Sequence, residues 1–232
     1  MMSNAGKETE GAEVAEVTEV TAATEKRPIT LFGAEVAYLM VMAIVMAFIG
    51  WVGENIVILT ARGVLDSRFH VLPFIPAYGL IVFALQIFVG DVNSLAPFGK
   101  KIFKTQNRKN KILSNLLCLV FIYLLVFLGE LCVGNGWAAL TGVELWNYSN
   151  VPLSVTQYAG LFPTLGYGTA AYIISKFFYG PFLRLLRRKM PHKVAVIINA
   201  TLGALVLLDG IRMILQLIIL KEAPLIWAIQ VW

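Results

Sequence analysis

The chain has 232 residues, 58% of them hydrophobic and only 14% charged, with a mean hydropathy of +0.75. A soluble domain carries about 45–50% apolar and about 25% charged residues. The composition therefore excludes an ordinary water-soluble globular protein and a disordered chain, and points to a polytopic membrane protein. The net charge is +5, but the first 27 residues hold six Glu against Lys7, Lys26 and Arg27, which leaves +8 on the remainder. In a chain this apolar, such an excess reads as topology and anionic lipid rather than nucleic acid.

Residues 1–28 read as a disordered acidic cytoplasmic tail: low-complexity, too polar to fold alone, and without the apolar core of a signal peptide. Residues 29–221 read as an all-α transmembrane domain, a polytopic five-helix bundle. Each apolar segment is long enough to cross about 30 Å of hydrocarbon: Leu31 to Thr60, Leu72 to Asp91, Ile112 to Trp137, Leu153 to Phe178 and Val194 to Leu220. In the fourth, Gly160, Pro163, Gly166 and Gly168 predict a kink or break. Residues 222–232 are too short for a sixth span, and Trp227 and Trp232 place them in an interface. No internal repeat is visible. Cys118 and Cys132 lie on one apolar segment, ~21 Å apart along a helix, so they cannot bridge each other.

Loop charges orient these spans. Lys100, Lys101, Lys104, Arg108, Lys109 and Lys111 follow the second helix with no acid among them; Arg184, Arg187, Arg188, Lys189 and Lys193 follow the fourth. The positive-inside bias puts both loops and the amino terminus in the cytoplasm of a bacterial cell, and the carboxyl terminus outside. The segment GPFLRLLRRKMPHK alternates leucines with arginines and reads as a short amphipathic helix on anionic lipid or on a cytoplasmic partner.

Charges inside the spans are expensive and mark candidate sites. Glu54 falls in the outer part of the first helix and Glu130 in that of the third. Asp209, Arg212 and Gln216 form a polar stripe on the fifth. Asp209 and Arg212 can neutralise each other one turn apart; alternatively, Arg212 joins Glu54 or Glu130 in an outer network. The outward first loop carries Arg62 and Arg68, whose planar guanidinium suits carboxylates and anions, and which can equally fold back on Asp66 or Glu54. His70 reads as an ordinary interfacial side chain, and a single His makes no metal site. In the third loop Trp146 and Tyr148 read as interface anchors, and Asn147 as a further polar contact. The candidate ligand-binding set is Glu54, Arg62, Arg68, Glu130, Trp146, Asn147, Asp209 and Arg212. No metal or cofactor is called for.

There is no GxxxxGK[ST], HExxH, GxSxG or CxxC, so no catalytic motif supports an enzyme and the chain carries no P-loop of its own. GWVGEN at residues 50–55 resembles the GW-x-x-E signature of the putative type IV ABC-transporter family, also called CmpB-like. DSRFHVLPFIPAYG is similar to that family's Asn-Arg-Gly…Pro-x-x-Pro-x-Tyr-Gly segment, and GELCVG with LWNYSNVPLSV to its Glu-x-x-x-Gly and Trp-Asp-Tyr-Ser region. The resemblance singles out Gly50, Trp51, Glu54, Arg68, Pro73, Pro76, Tyr78, Gly79, Glu130, Gly134, Trp146, Tyr148 and Ser149. Asn147 stands where the family has Asp, Phe69 where it has glycine, and the spacing from Arg68 to Pro73 is one residue shorter. The resemblance implies a transporter or permease-like component with a polar site on the outward face. Its ATPase, where one acts, would be a separate subunit. The competing readings are a membrane-embedded enzyme on a lipid or envelope precursor, with Glu54 or Glu130 as acid or base, and a non-catalytic envelope scaffold or sensor. The expected partners are the lipid bilayer and that ATPase subunit, with the oligomeric state open.

Overall fold

The computed structural model describes residues 28–90, 95–105, 107–222 and 225–232. All of the expected acidic tail except Pro28 lies outside the described residues. The chain is mostly helical. A two-stranded hairpin, β1 (Thr30–Leu31) and β2 (Ala34–Glu35), leads into α1 (Val36–Arg62), a 27-residue apolar helix. It stops at Gly63, whose left-handed φ of 68° lets its N–H reach the Leu59 carbonyl. Strand β3 (Val64–Asp66) follows, then α2 (Pro76–Phe88). Next comes α3 (Arg108–Thr141), capped by the Asn107 side chain accepting from the Asn110 N–H and closed by left-handed Gly142. A continuous helical run then comprises α4 (Leu161–Ile173), a π-helical stretch (Ile174–Tyr179) and α5 (Gly180–Lys189). The last run comprises α6 (His192–Ile198), a second π-helical stretch (Asn199–Gly203) and α7 (Ala204–Leu220). Strand β4 (Ala228–Gln230) returns to pair antiparallel with β3.

Among the described residues three helices are long and apolar enough to cross a membrane: Val36–Arg62, Arg108–Thr141 and His192–Leu220. In the most apolar stretch of α3 only 11% of the residues are buried, and Leu113, Leu116, Phe121, Leu124 and Leu128 are exposed. A water-soluble protein cannot sustain an exposed apolar surface of that extent.

Two of the expected spans differ in form. The second is shorter than Leu72 to Asp91: residues 72–75 are not helical and the helix starts at Pro76. Pro73 and Pro76 each disfavour helix in the residue before them, and Pro76 sits at the first helical position, where no N–H is needed. Asp91 lies outside the described residues. The fourth starts at Leu161 rather than Leu153, because residues 146–160 fold as a loop with a bridge between Ser154 and Gly160. The expected break falls at Gly160, the residue before the first helical turn, while Gly166 and Gly168 do not interrupt the helix. Pro163 lies in the first turn, and Gly168 is the flat spot against which the Tyr123 ring packs. A second irregularity comes one turn later, as the π-helical stretch.

The two ends of the bundle differ. At the basic end, Leu183 and Leu186 of α5 pack on Tyr38, Leu39 and Met42 of α1 and Val82 of α2. Arg187 donates to the Gly33 carbonyl, and the Tyr179 hydroxyl donates to Gln86, which in turn donates to the Leu31 and Phe32 carbonyls. The amphipathic segment is therefore docked on the chain's own amino-terminal hairpin, with Arg184, Arg188 and Lys189 left exposed. At the opposite end gather the 63–75 loop, the 142–160 loop and β4.

Candidate functional site

Residues 67–75 do not stay above the helices. The Ile75 N–H donates to the Ala47 carbonyl at 3.0 Å. Ala47 is fifteen residues before Arg62, so the segment descends ~22 Å along α1 at about 1.5 Å per residue. Non-helical backbone at that depth needs its polar groups satisfied by protein. Asp209 supplies this: its carboxylate accepts from the Val71 N–H at 3.0 Å and from the Leu72 N–H at 3.0 Å. Arg212 pairs with Asp209 at 2.9 Å and donates to the Phe69 carbonyl at 2.8 Å, and it also contacts Gln216. His70, 2% exposed, puts Nδ1 3.5 Å from Asp209. The expected Asp209–Arg212 pair is present, yet it grips the descending segment rather than merely neutralising itself. Arg212 makes no ion pair with Glu54 or Glu130. His70 is a buried part of this clamp, not an interfacial side chain.

The clamp positions two groups at Glu54. Arg68 Nη2 lies 3.1 Å from Glu54 and its Nη1 3.9 Å from Asp66. The Tyr78 hydroxyl donates to the other Glu54 oxygen. Tyr78 can stand there because Gly50, one turn earlier on α1, leaves room for its ring, and because Gly79 lets the α2 backbone approach the Ala43 carbonyl. Asn55 accepts from the Asp66 N–H at 2.9 Å and so holds β3 against α1.

On the other helix pair, Glu130 of α3 accepts from the Tyr148 hydroxyl at 3.1 Å and from Thr164 of α4 at 3.4 Å. Burial, then the neighbouring Tyr167 and Glu130, push the Tyr148 hydroxyl well above its ordinary range, so it stays protonated and donates. Tyr167 of α4 lies within electrostatic reach of Tyr148, Glu54, Glu130 and Arg68. Two carboxylates on different helix pairs, α1–α2 and α3–α4, thus belong to one polar cluster with Tyr78, Tyr148 and Tyr167.

Of the sequence candidates, Glu54, Arg68 and Glu130 belong to this cluster, and Asp209 and Arg212 hold the segment that carries Arg68. Arg62 does not join: it is exposed in the last turn of α1, where a cation suits the helix carboxyl end. Trp146 donates from Nε1 to the Tyr158 carbonyl at 2.9 Å, and Asn147 bonds Glu144 at 2.8 Å, so both shape the 142–160 loop. Tyr148, expected as an interface anchor, points inward. Charge and motif alone pass over Tyr167 and Thr164. The visible signal for both is their i,i+3 spacing on a helix rich in small residues.

A family model described as "Putative ABC-transporter type IV" matches residues 41–214, which include the polar cluster and the clamp. No curated protein and no solved structure matches the chain.

Proposed function

Because the chain belongs to this family, we propose that it is the multi-pass membrane component of a transporter, with the polar cluster between Glu54 and Glu130 as its solute site. Five segments cross the bilayer, the second as the descending 67–75 segment followed by the 13-residue α2; the basic end faces the cytoplasm of a bacterial cell, and the site between Glu54 and Glu130 opens outward. The acid-free basic clusters at one end support that orientation. ATP hydrolysis falls to a separate subunit, since the chain has no P-loop.

One observation carries the reading: the irregular 67–75 segment reaches half-way down α1 and delivers Arg68 to an intramembrane carboxylate. Irregular backbone at membrane depth is tolerated only where it is buried in protein or lines a cavity. Short helices next to such a break are where transporters place their solute sites. The test is purification from native membrane in mild detergent, with partners identified by mass spectrometry. We expect a stoichiometric ATPase subunit, and ATP turnover that falls at least about tenfold in Glu54→Gln and Glu130→Gln while the complex stays intact. Full turnover in both variants, or no ATPase partner, overturns the reading.

A further inference from the structure

Among the described residues three carboxylates lie within the apolar helices. Glu54 has Arg68 at 3.1 Å and Asp209 has Arg212 at 2.9 Å. Glu130 differs: among the described residues no Lys, Arg or His forms an ion pair with it, and its partners are two neutral hydroxyls, Tyr148 and Thr164. A carboxylate left without a cation in a half-buried, apolar setting is costly to keep. What faces it is aromatic. The Tyr148 hydroxyl is bonded to it, and the half-exposed Tyr167, 44% accessible, lies within electrostatic reach of both.

We propose that Glu130, with the rings of Tyr148 and Tyr167, forms a site for a small organic cation: an amine or quaternary ammonium group entering the polar cluster. The carboxylate supplies the charge that balances the cation, and ring faces attract cations through their quadrupole, most strongly when water is thin. A divalent metal fits poorly, since it wants six or more oxygen ligands and no group of three His, Cys, Asp or Glu suited to a metal exists among the described residues. An anion fits poorly too, because Arg68 is already engaged by Glu54 and Asp66. The proposal names the solute class of the transporter read above and rests on that reading for the transport step alone. The binding itself is measurable without transport.

The experiment uses the full chain purified in non-ionic detergent with phosphatidylglycerol, its unfolding followed by tryptophan fluorescence. Tetramethylammonium, choline and ethanolamine chlorides are compared with sodium chloride at equal ionic strength. We expect a saturable rise in Tm of about 3–6 °C at roughly tenfold excess over Kd. The rise should vanish in Glu130→Gln, shrink in Tyr167→Leu and persist in Glu222→Gln. Gln keeps both hydroxyl contacts, and Tyr167→Leu gives an independent reading if Glu130→Gln folds poorly. A parallel arm identifies the source. Phosphatidylethanolamine retained by the wild type and lost from Glu130→Gln marks a lipid headgroup; saturation by free amine alone marks a soluble cation. No saturable shift and no retained amine lipid overturns the proposal, as does a shift unchanged in both Glu130→Gln and Tyr167→Leu. Amine binding without ATP-coupled transport would sink the transporter reading alone. Transport without amine binding would sink this one alone.

Discussion

At the scale of single residues, Asp209 and Arg212 separate what charge patterning can reveal from what it cannot. Their i,i+3 spacing shows that they can pair, and they do. Nothing in the spacing shows that a backbone segment 137 residues away needs the same carboxylate. That difference changes the expected energetics. A self-contained pair would lose stability when either member is removed and recover it when both are. Here each residue also satisfies backbone: Asp209 two amides, Arg212 the Phe69 carbonyl. Asp209→Asn and Arg212→Gln should each cost about 1–3 kcal/mol, since a buried polar group loses its partner. The double variant should stay at least as unstable as the worse single one. Unfolding midpoints in detergent for all four proteins test this; a double variant restored to near wild type would mean that the backbone contacts carry no weight.

At the scale of elements, helix existence is legible in the sequence and helix ends are only partly so. Hydropathy bounds the α3 span at Ile112 and Trp137, and the helix runs a turn further at each end because Asn107 caps it and Gly142 closes it. The non-helical approach to α2 can be sensed in Pro73 and Pro76. Its depth cannot, because depth depends on the Ala47 carbonyl and on Asp209, which are remote in sequence. The π-helical stretches at Ile174–Tyr179 and Asn199–Gly203 have no compositional mark. Glycines in α4 read as breakers when Gly168 serves packing, since in apolar helices a small residue more often admits a neighbour. The same logic separates two glycines of α3. A Cβ at Gly134 would collide with the Tyr158 ring, whereas one at Gly136 would meet nothing within 4 Å. Gly134→Ala should therefore destabilise by about 1–3 kcal/mol through overpacking. Gly136→Ala should be neutral or stabilising by up to about 1 kcal/mol, as expected of Ala in a helix interior. Equal losses in thermal unfolding would contradict the packing of the 142–160 loop on α3.

At the scale of the whole molecule, the carboxyl terminus is what ties topology to the site. Its tryptophans alone suggest that residues 222–232 rest in an interface. Residues 228–230 instead pair as β4 with β3, with Leu65 opposite Ile229, while the Ser67 N–H donates to the Trp227 carbonyl and Trp227 packs on Trp51. This strap runs over the start of the descending segment, so the carboxyl terminus and the polar cluster share one end of the bundle. Thr105 lies at the other end, beside the basic clusters. A labelling experiment then has an internal check. After Cys118 and Cys132 are replaced, cysteines at Asn150 and at Ile229 must react from the same side of the membrane, and one at Thr105 from the opposite side. Asn150 is exposed and avoids the left-handed Gly142, where a side chain would be strained. With the basic end in the cytoplasm, membrane-impermeant maleimide added to intact spheroplasts should label positions 150 and 229, and position 105 only after lysis. Labelling of 105 in intact spheroplasts with 150 and 229 protected would invert the protein and turn the site to the cytoplasm. Labelling of 150 and 229 from opposite sides would break the β3–β4 pairing, and with it the shared end on which the strap depends.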